Sequence, residues 1–420
     1  MTRSALLWSA FGIALAGFAA GTVLHPLSLP ARPVPVAPAA APESPVSAER
    51  LFQRCAKQES GDKSACYESD LLPLAATRGA TAALAVLERL AALDPEVKRT
   101  AHAYAHAIGV STYDAAPDVK RSFPTCREIF QSGCYHGVIQ AYFMRAGTDD
   151  SGAVRGLCAP WTQDGVYGWL RFQCTHGLGH GLTMLVDHDL PGALERCDAL
   201  NDDWDRESCY GGAFMENVMD ATQPHEPLLA GHSHAMHKAA GTRFKEIDPA
   251  DPAYPCSILA QRYLLSCWEN QVSIILHLTG GNVARSSAGC ERAPAAYVRW
   301  CFIGLGTDIN GRSVSNVDTA LVLCDSTARQ WRAWCYVGVA KNLIEEGAQS
   351  KSGMAFCRLV RGRTEKMRCY EAVGEEIASV SERRSDREAM CADSEAEYEE
   401  ACRFGARLMV DRPASLPPDS

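Results

Sequence analysis

The chain has 420 residues, of which 47% are hydrophobic and 22% charged, with a formal net charge of −9. That apolar fraction suffices for a buried core, while an acidic chain with no long basic run argues against nucleic acid as its main partner. No P-loop, G-x-S-x-G or dinucleotide-binding arrangement is present, so neither a nucleotide cofactor nor a familiar hydrolase is indicated.

Residues 1–25 read as a targeting segment. Arg3 precedes an uncharged stretch from Ser4 to Leu24. As a helix rising about 1.5 Å per residue, that stretch would cross a bilayer. It therefore reads as an uncleaved membrane anchor, with a removable signal peptide ending near Ala14-Leu15-Ala16 as the alternative. An anchored chain would sit at the periplasmic face of the inner membrane; a cleaved one would be periplasmic or secreted. The Pro/Ala-rich run from Pro26 to Val46, inside a linker spanning 26–48, predicts an extended spacer.

From residue 49 onward the cysteines organise the chain. All 18 fall into short-range pairs: Cys55/Cys66, Cys126/Cys134, Cys158/Cys174, Cys197/Cys209, Cys256/Cys267, Cys290/Cys301, Cys324/Cys335, Cys357/Cys369 and Cys391/Cys402. An even count in an exported chain predicts disulfides. There is no tight C-x2-C knuckle for a cysteine-held metal, and no C-x-x-C-H for haem c. Separations of mostly 11 or 12 residues suit a helix, a turn and a returning helix. Each closed loop adds about 3 kcal/mol of stability on the chain-entropy model.

The second cysteines Cys267, Cys301, Cys335, Cys369 and Cys402 advance by 34, 34, 34 and 33 residues. Such a period signals stacked supersecondary units. An aromatic usually follows the cysteine (Tyr67, Tyr135, Tyr210, Trp268), and a small residue comes two positions later (Gly137, Gly177, Gly212, Gly304, Gly338). That rung predicts close helix–helix approach. The predicted fold is all-α, an α-solenoid of about ten helical-hairpin repeats, most stapled by one disulfide. Over about residues 50 to 410, in period and cysteine placement, it resembles the secreted, disulfide-stapled Sel1-like and tetratricopeptide-like repeat proteins.

Stepping back 34 residues from Cys134 lands on Thr100, and 34 more on Cys66. The unit at Thr100 reads as a repeat without a disulfide, its helix starting at Asp94-Pro95-Glu96. Two places after the reference position stand His102, His136 and His176; six places after stand His106, Gln140 and His180. Positions two and six along a helix share a face. Neighbouring helices lie about 8–10 Å apart, so imidazoles of successive repeats can converge on one ion. Imidazole clusters suit Cu, Zn or Fe. The competing reading makes each histidine a hydrogen-bonded interior residue, inherited by duplication. The next unit carries Gly211 and Met215 in these columns, with Glu216 beyond as a candidate carboxylate ligand or general base.

Between Cys209 and Cys267 the step grows to 58 residues. The excess lies in an insertion at 220–255 that contains His225 and the tract His232, His234 and His237. A His/Met tract of this kind is a second candidate for metal, copper in particular. The repeats from 256 to 410 are regular and histidine-poor, and 411–420 reads as a disordered tail. N-terminal repeats thus occupy 49–219. Two functions follow: an exported, membrane-tethered repeat protein with a His-rich metal site that binds an ion or uses it catalytically, or a metal-free scaffold whose groove binds a protein or peptide.

Overall fold

The computed structural model describes residues 46–147, 150–161, 168–222, 244–347 and 349–417. The expected anchor, nearly all of the spacer, and His225, His232, His234 and His237 lie outside the described residues. Among the described residues every regular element is helical. The α-helices are α1 (Ala48–Cys55), α2 (Ser60–Arg78), α3 (Ala80–Leu93), α4 (Pro95–Ala115), α5 (Val119–Ser122), α6 (Gly133–Ala146), α7 (Ser151–Leu157), α8 (Trp169–Leu185), α9 (Leu190–Cys197) and α10 (Asp203–Thr222). They continue as α11 (Leu264–Leu278), α12 (Val283–Cys290), α13 (Val298–Arg312), α14 (Val317–Asp325), α15 (Arg332–Glu345), α16 (Ser350–Leu359), α17 (Arg363–Val380), α18 (Arg384–Cys391) and α19 (Glu399–Gly405).

All nine cysteine pairs expected from spacing are disulfides, with Cα–Cα distances from 5.4 to 5.8 Å. Each links the arm before a turn to the helix after it. The aromatic after the second cysteine adds a polar tie across the same turn. Tyr210 and Tyr336 donate to Asp198 and Asp325, the residues directly after the first cysteines, whereas Tyr370 donates at 3.0 Å to Glu395 in the turn of the next unit. A buried hydroxyl costs energy unless it is bonded, so this pairing lets the ring sit in the core.

The second helices of successive units pack on one another in order: α4 on α6, α6 on α8, α8 on α10, α10 on α11, and so on through α13, α15, α17 and α19. Several of these crossings, α4 on α6 and α8 on α10 among them, are built on glycine. At Gly212 an added Cβ would lie 2.0 Å from the His176 carbonyl, and at Gly179 2.0 Å from the Cys209 carbonyl. Backbones this close tolerate no side chain.

The helix of the disulfide-free unit starts as expected. Asp94 caps α4 by accepting from the Glu96 N–H, with Pro95 in the first turn, and it also accepts from Tyr67 Oη at 3.0 Å. Its register, however, corrects the fixed 34-residue step. A Cβ on Gly137 would lie 2.1 Å from the His106 carbonyl, and one on Gly109 2.1 Å from that of Cys134. His106, not His102, therefore matches His176 at its crossing, and the reference position is Tyr104, one helical turn beyond Thr100. The cause is a short first arm. A one-turn α5, a 3₁₀ turn (Phe123–Thr125) and left-handed Phe130, Gln131 and Ser132 replace a full helix, and Cys126–Cys134 closes only 8 residues.

The expected disordered tail also differs where it is described. Leu416 is buried and Arg368 donates to the Pro417 carbonyl at 3.0 Å, so residues 411–417 are held against α17. An apolar side chain with a core to enter, and a guanidinium able to bond the Pro417 carbonyl, account for the order.

Candidate metal centre

Five histidines on three successive second helices meet in one place. His102 and His106 stand one turn apart on α4, His136 lies in the first turn of α6, and His176 and His180 stand one turn apart on α8. Their rings touch in sequence, with centroids 4.7 Å apart for His102–His106, 5.4 Å for His106–His136, 5.2 Å for His136–His180 and 5.1 Å for His176–His180. Two triads have ligand nitrogens that all lie within 4.8 Å of one another: His102/His106/His136 and His136/His176/His180. Tetrahedral Zn–N bonds of about 2.0 Å put nitrogens roughly 3.3 Å apart, so small side-chain rotations close either set on an ion.

The hydrogen bonds fix which nitrogen is free. His102 Nδ1 donates to the Phe130 carbonyl at 2.8 Å, and His106 Nδ1 donates to Gln140 Oε1 at 3.1 Å. His136 Nε2 donates to Gln173 Oε1 and His180 Nδ1 to Glu216 Oε2, both at 2.8 Å. The remaining nitrogens, Nε2 of His102, His106 and His180 and Nδ1 of His136, are buried and have no hydrogen-bond partner. A buried polar atom left unsatisfied costs about 1–3 kcal/mol. Four in one cluster, each on a ring whose other nitrogen is held by a carbonyl or carboxylate, is the outer-shell pattern of metal-ligating histidine.

The electrostatics agree. Burial pulls His102 and His180 down to about 4, and burial with the neighbouring imidazoles holds His106, His136 and His176 well below the ordinary histidine range. At neutral pH all five rings are uncharged, and their lone pairs are available to a cation.

The local sequence makes room for this. A Cβ at Gly133 would lie 2.6 Å from the His102 carbonyl and 3.0 Å from the His106 ring, so only glycine can open α6 here. Glu216, expected as a ligand or base, instead orients His180. Gln140 shares a sequence column with His180 and orients His106. Phe130, Gln173 and Gly133 were not picked out by sequence reasoning, because each acts across a helix–helix gap and none belongs to a recurring column. His232, His234 and His237 fall outside the described residues. No protein-family model, curated protein or solved structure matches the chain.

Proposed function

We propose that this chain is an exported helical repeat protein whose N-terminal repeats bind a transition-metal ion through His102, His106, His136, His176 and His180. The observation that carries this reading is the set of four buried, partnerless imidazole nitrogens facing one another. Nitrogen-only donors suit Zn, Cu or Fe. His180, His136, His106 and His176 are 0, 3, 6 and 8% exposed, a closed environment suited to holding an ion rather than turning over a substrate upon it.

The architecture proposed is an α-solenoid of stapled hairpins, supported by the ordered packing of second helices and the repeated glycine crossings. Nine disulfides support an oxidising, exported compartment. Membrane tethering rests on the uncharged Ser4–Leu24 stretch; among the described residues no helix is long and apolar enough to cross a membrane.

Metal analysis of protein purified from an oxidising compartment tests the reading. The wild type should carry stoichiometric metal, and His136→Ala and His176→Ala should lose it. Sub-stoichiometric metal in the wild type, or unchanged content in both variants, leaves the metal-free scaffold as the better description.

A further inference from the structure

Resting on that metal reading, we infer that the cluster is a two-position site: an ion is captured by His102, His106 and His136 and handed to His136, His176 and His180.

The cluster is longer than one coordination shell. Imidazoles around a single tetrahedral ion all touch, with centroids about 5 Å apart. Here His136 touches all four other rings and His106 also touches His180 at 5.4 Å, while among the described residues no ring contact joins His102 to either His176 or His180. The two triads share only His136. That residue has a single lone pair, on Nδ1, because its Nε2–H is committed to Gln173. It cannot complete both triads at once, so one ion with two alternative positions fits the donors better than two resident ions.

The ends of the cluster differ in a direction-setting way. His102 is the most exposed member, although its Nε2 is enclosed, and its carbonyl partner Phe130 lines an open groove with Pro95, Lys98 and Val314. His180, at the other end, is sealed. The outer triad is oriented by neutral groups, the Phe130 carbonyl and the Gln140 amide. The inner triad has the Glu216 carboxylate behind His180, which raises the basicity of that imidazole and offsets the charge of a dication. Capture at the accessible end and retention at the sealed end follow, with His136 keeping hold while two imidazoles are exchanged for two others.

Stopped-flow binding of Co²⁺ to the metal-free, fully disulfide-bonded protein, read by its visible absorption, tests the transfer. The wild type should bind one ion in two phases, a fast phase dependent on Co²⁺ concentration and a slower one independent of it. In His176→Ala the slow phase should vanish and affinity fall about 10–100-fold. In His102→Ala capture should slow by about tenfold or more, and affinity should fall less than in His176→Ala. A single phase in the wild type, two ions at saturation, or equal losses of affinity in the two variants would overturn the transfer while leaving metal binding intact. No Co²⁺ or Zn²⁺ bound by the wild type would instead remove the metal reading beneath it. The wild-type phases need no substitution, so they decide the matter even if a variant fails to fold.

Discussion

His102 is tied to Glu346 through one residue. The Phe130 carbonyl accepts from His102 Nδ1 at 2.8 Å, and the Phe130 N–H donates to the Glu346 carbonyl at 2.8 Å. Phe130, Gln131 and Ser132 hold φ of 54°, 52° and 59°, left-handed conformations that side-chain-bearing residues keep only where their surroundings demand it. Glu346 supplies that demand. It is itself anchored by Ser315, which donates to its carboxylate at 2.6 and 2.8 Å, and by Asn310 at 3.0 Å. The histidine-poor repeats therefore brace the outer end of the cluster.

Cutting the carboxylate anchor should be felt at the site. Glu346→Ala leaves every histidine in place, yet should weaken metal affinity by about tenfold, as outer-shell changes do. It should also speed hydrogen exchange at the Phe130 amide. Chelator competition and amide exchange measure the two effects, and unchanged values in both would disconnect Glu346 from the cluster.

Two glycines should respond to alanine in opposite ways. Gly137→Ala drives a methyl group into the His106 carbonyl, forcing α4 and α6 apart, at a cost of about 3 kcal/mol in denaturant unfolding. Gly156, exposed in α7, would meet nothing within 4 Å, so Gly156→Ala should stabilise by roughly 0.5–1 kcal/mol. Equal effects at the two positions would refute the crossing geometry.

The Cys126–Cys134 staple sets the start of α6, two residues before His136. Replacing both cysteines with alanine should lower stability by about 2.5 kcal/mol on the chain-entropy model. The same replacement at Cys391/Cys402 should cost a similar amount but leave metal content unchanged. Urea unfolding with metal analysis of both double variants separates the local effect on the site from the general effect on the fold.

The cluster should also carry an acid sensitivity. Folded, its histidines titrate far below the 6.5 of the unfolded chain, so the unfolded state binds more protons between about pH 6.5 and pH 4. The stability contributed by neutral rings is complete above that window and lost as pH falls through it. Glu269 and Glu376, raised by burial to about 7, act in the opposite sense, so the histidine part is read by difference. For metal-free protein, the wild-type Tm minus that of His136→Leu should fall from about pH 7 to about pH 4.5. A difference independent of pH would show that His136 is not held neutral.

The disulfides and their pairing were legible in the sequence because short loops leave a cysteine few partners within reach. His106, His136 and His176 could be found because they share a column in successive units, whereas His102 has no counterpart in the others. Their register could not be read correctly at Thr100. That unit has no cysteine to mark the crossing, and the shortened arm before Cys134 shifts α4 by one turn. The groups that orient the rings were largely hidden for a related reason. The Phe130 carbonyl belongs to the main chain, and Gln173 stands next to Cys174 without any recurring counterpart, so only packing of α4, α6 and α8 reveals their roles.

The glycine crossings carry a further consequence for how such an array acquires its chemistry. Helix spacing is set where a glycine meets a carbonyl, and the side chain of the residue just before that glycine is not part of this backbone contact. His136 stands there before Gly137; Ile303 and Val337 stand in the same place before Gly304 and Gly338. Frame and inscription are written in different columns. A ligand can be gained or erased one rung at a time while the scaffold keeps its shape, so related arrays can differ wholly in what they hold.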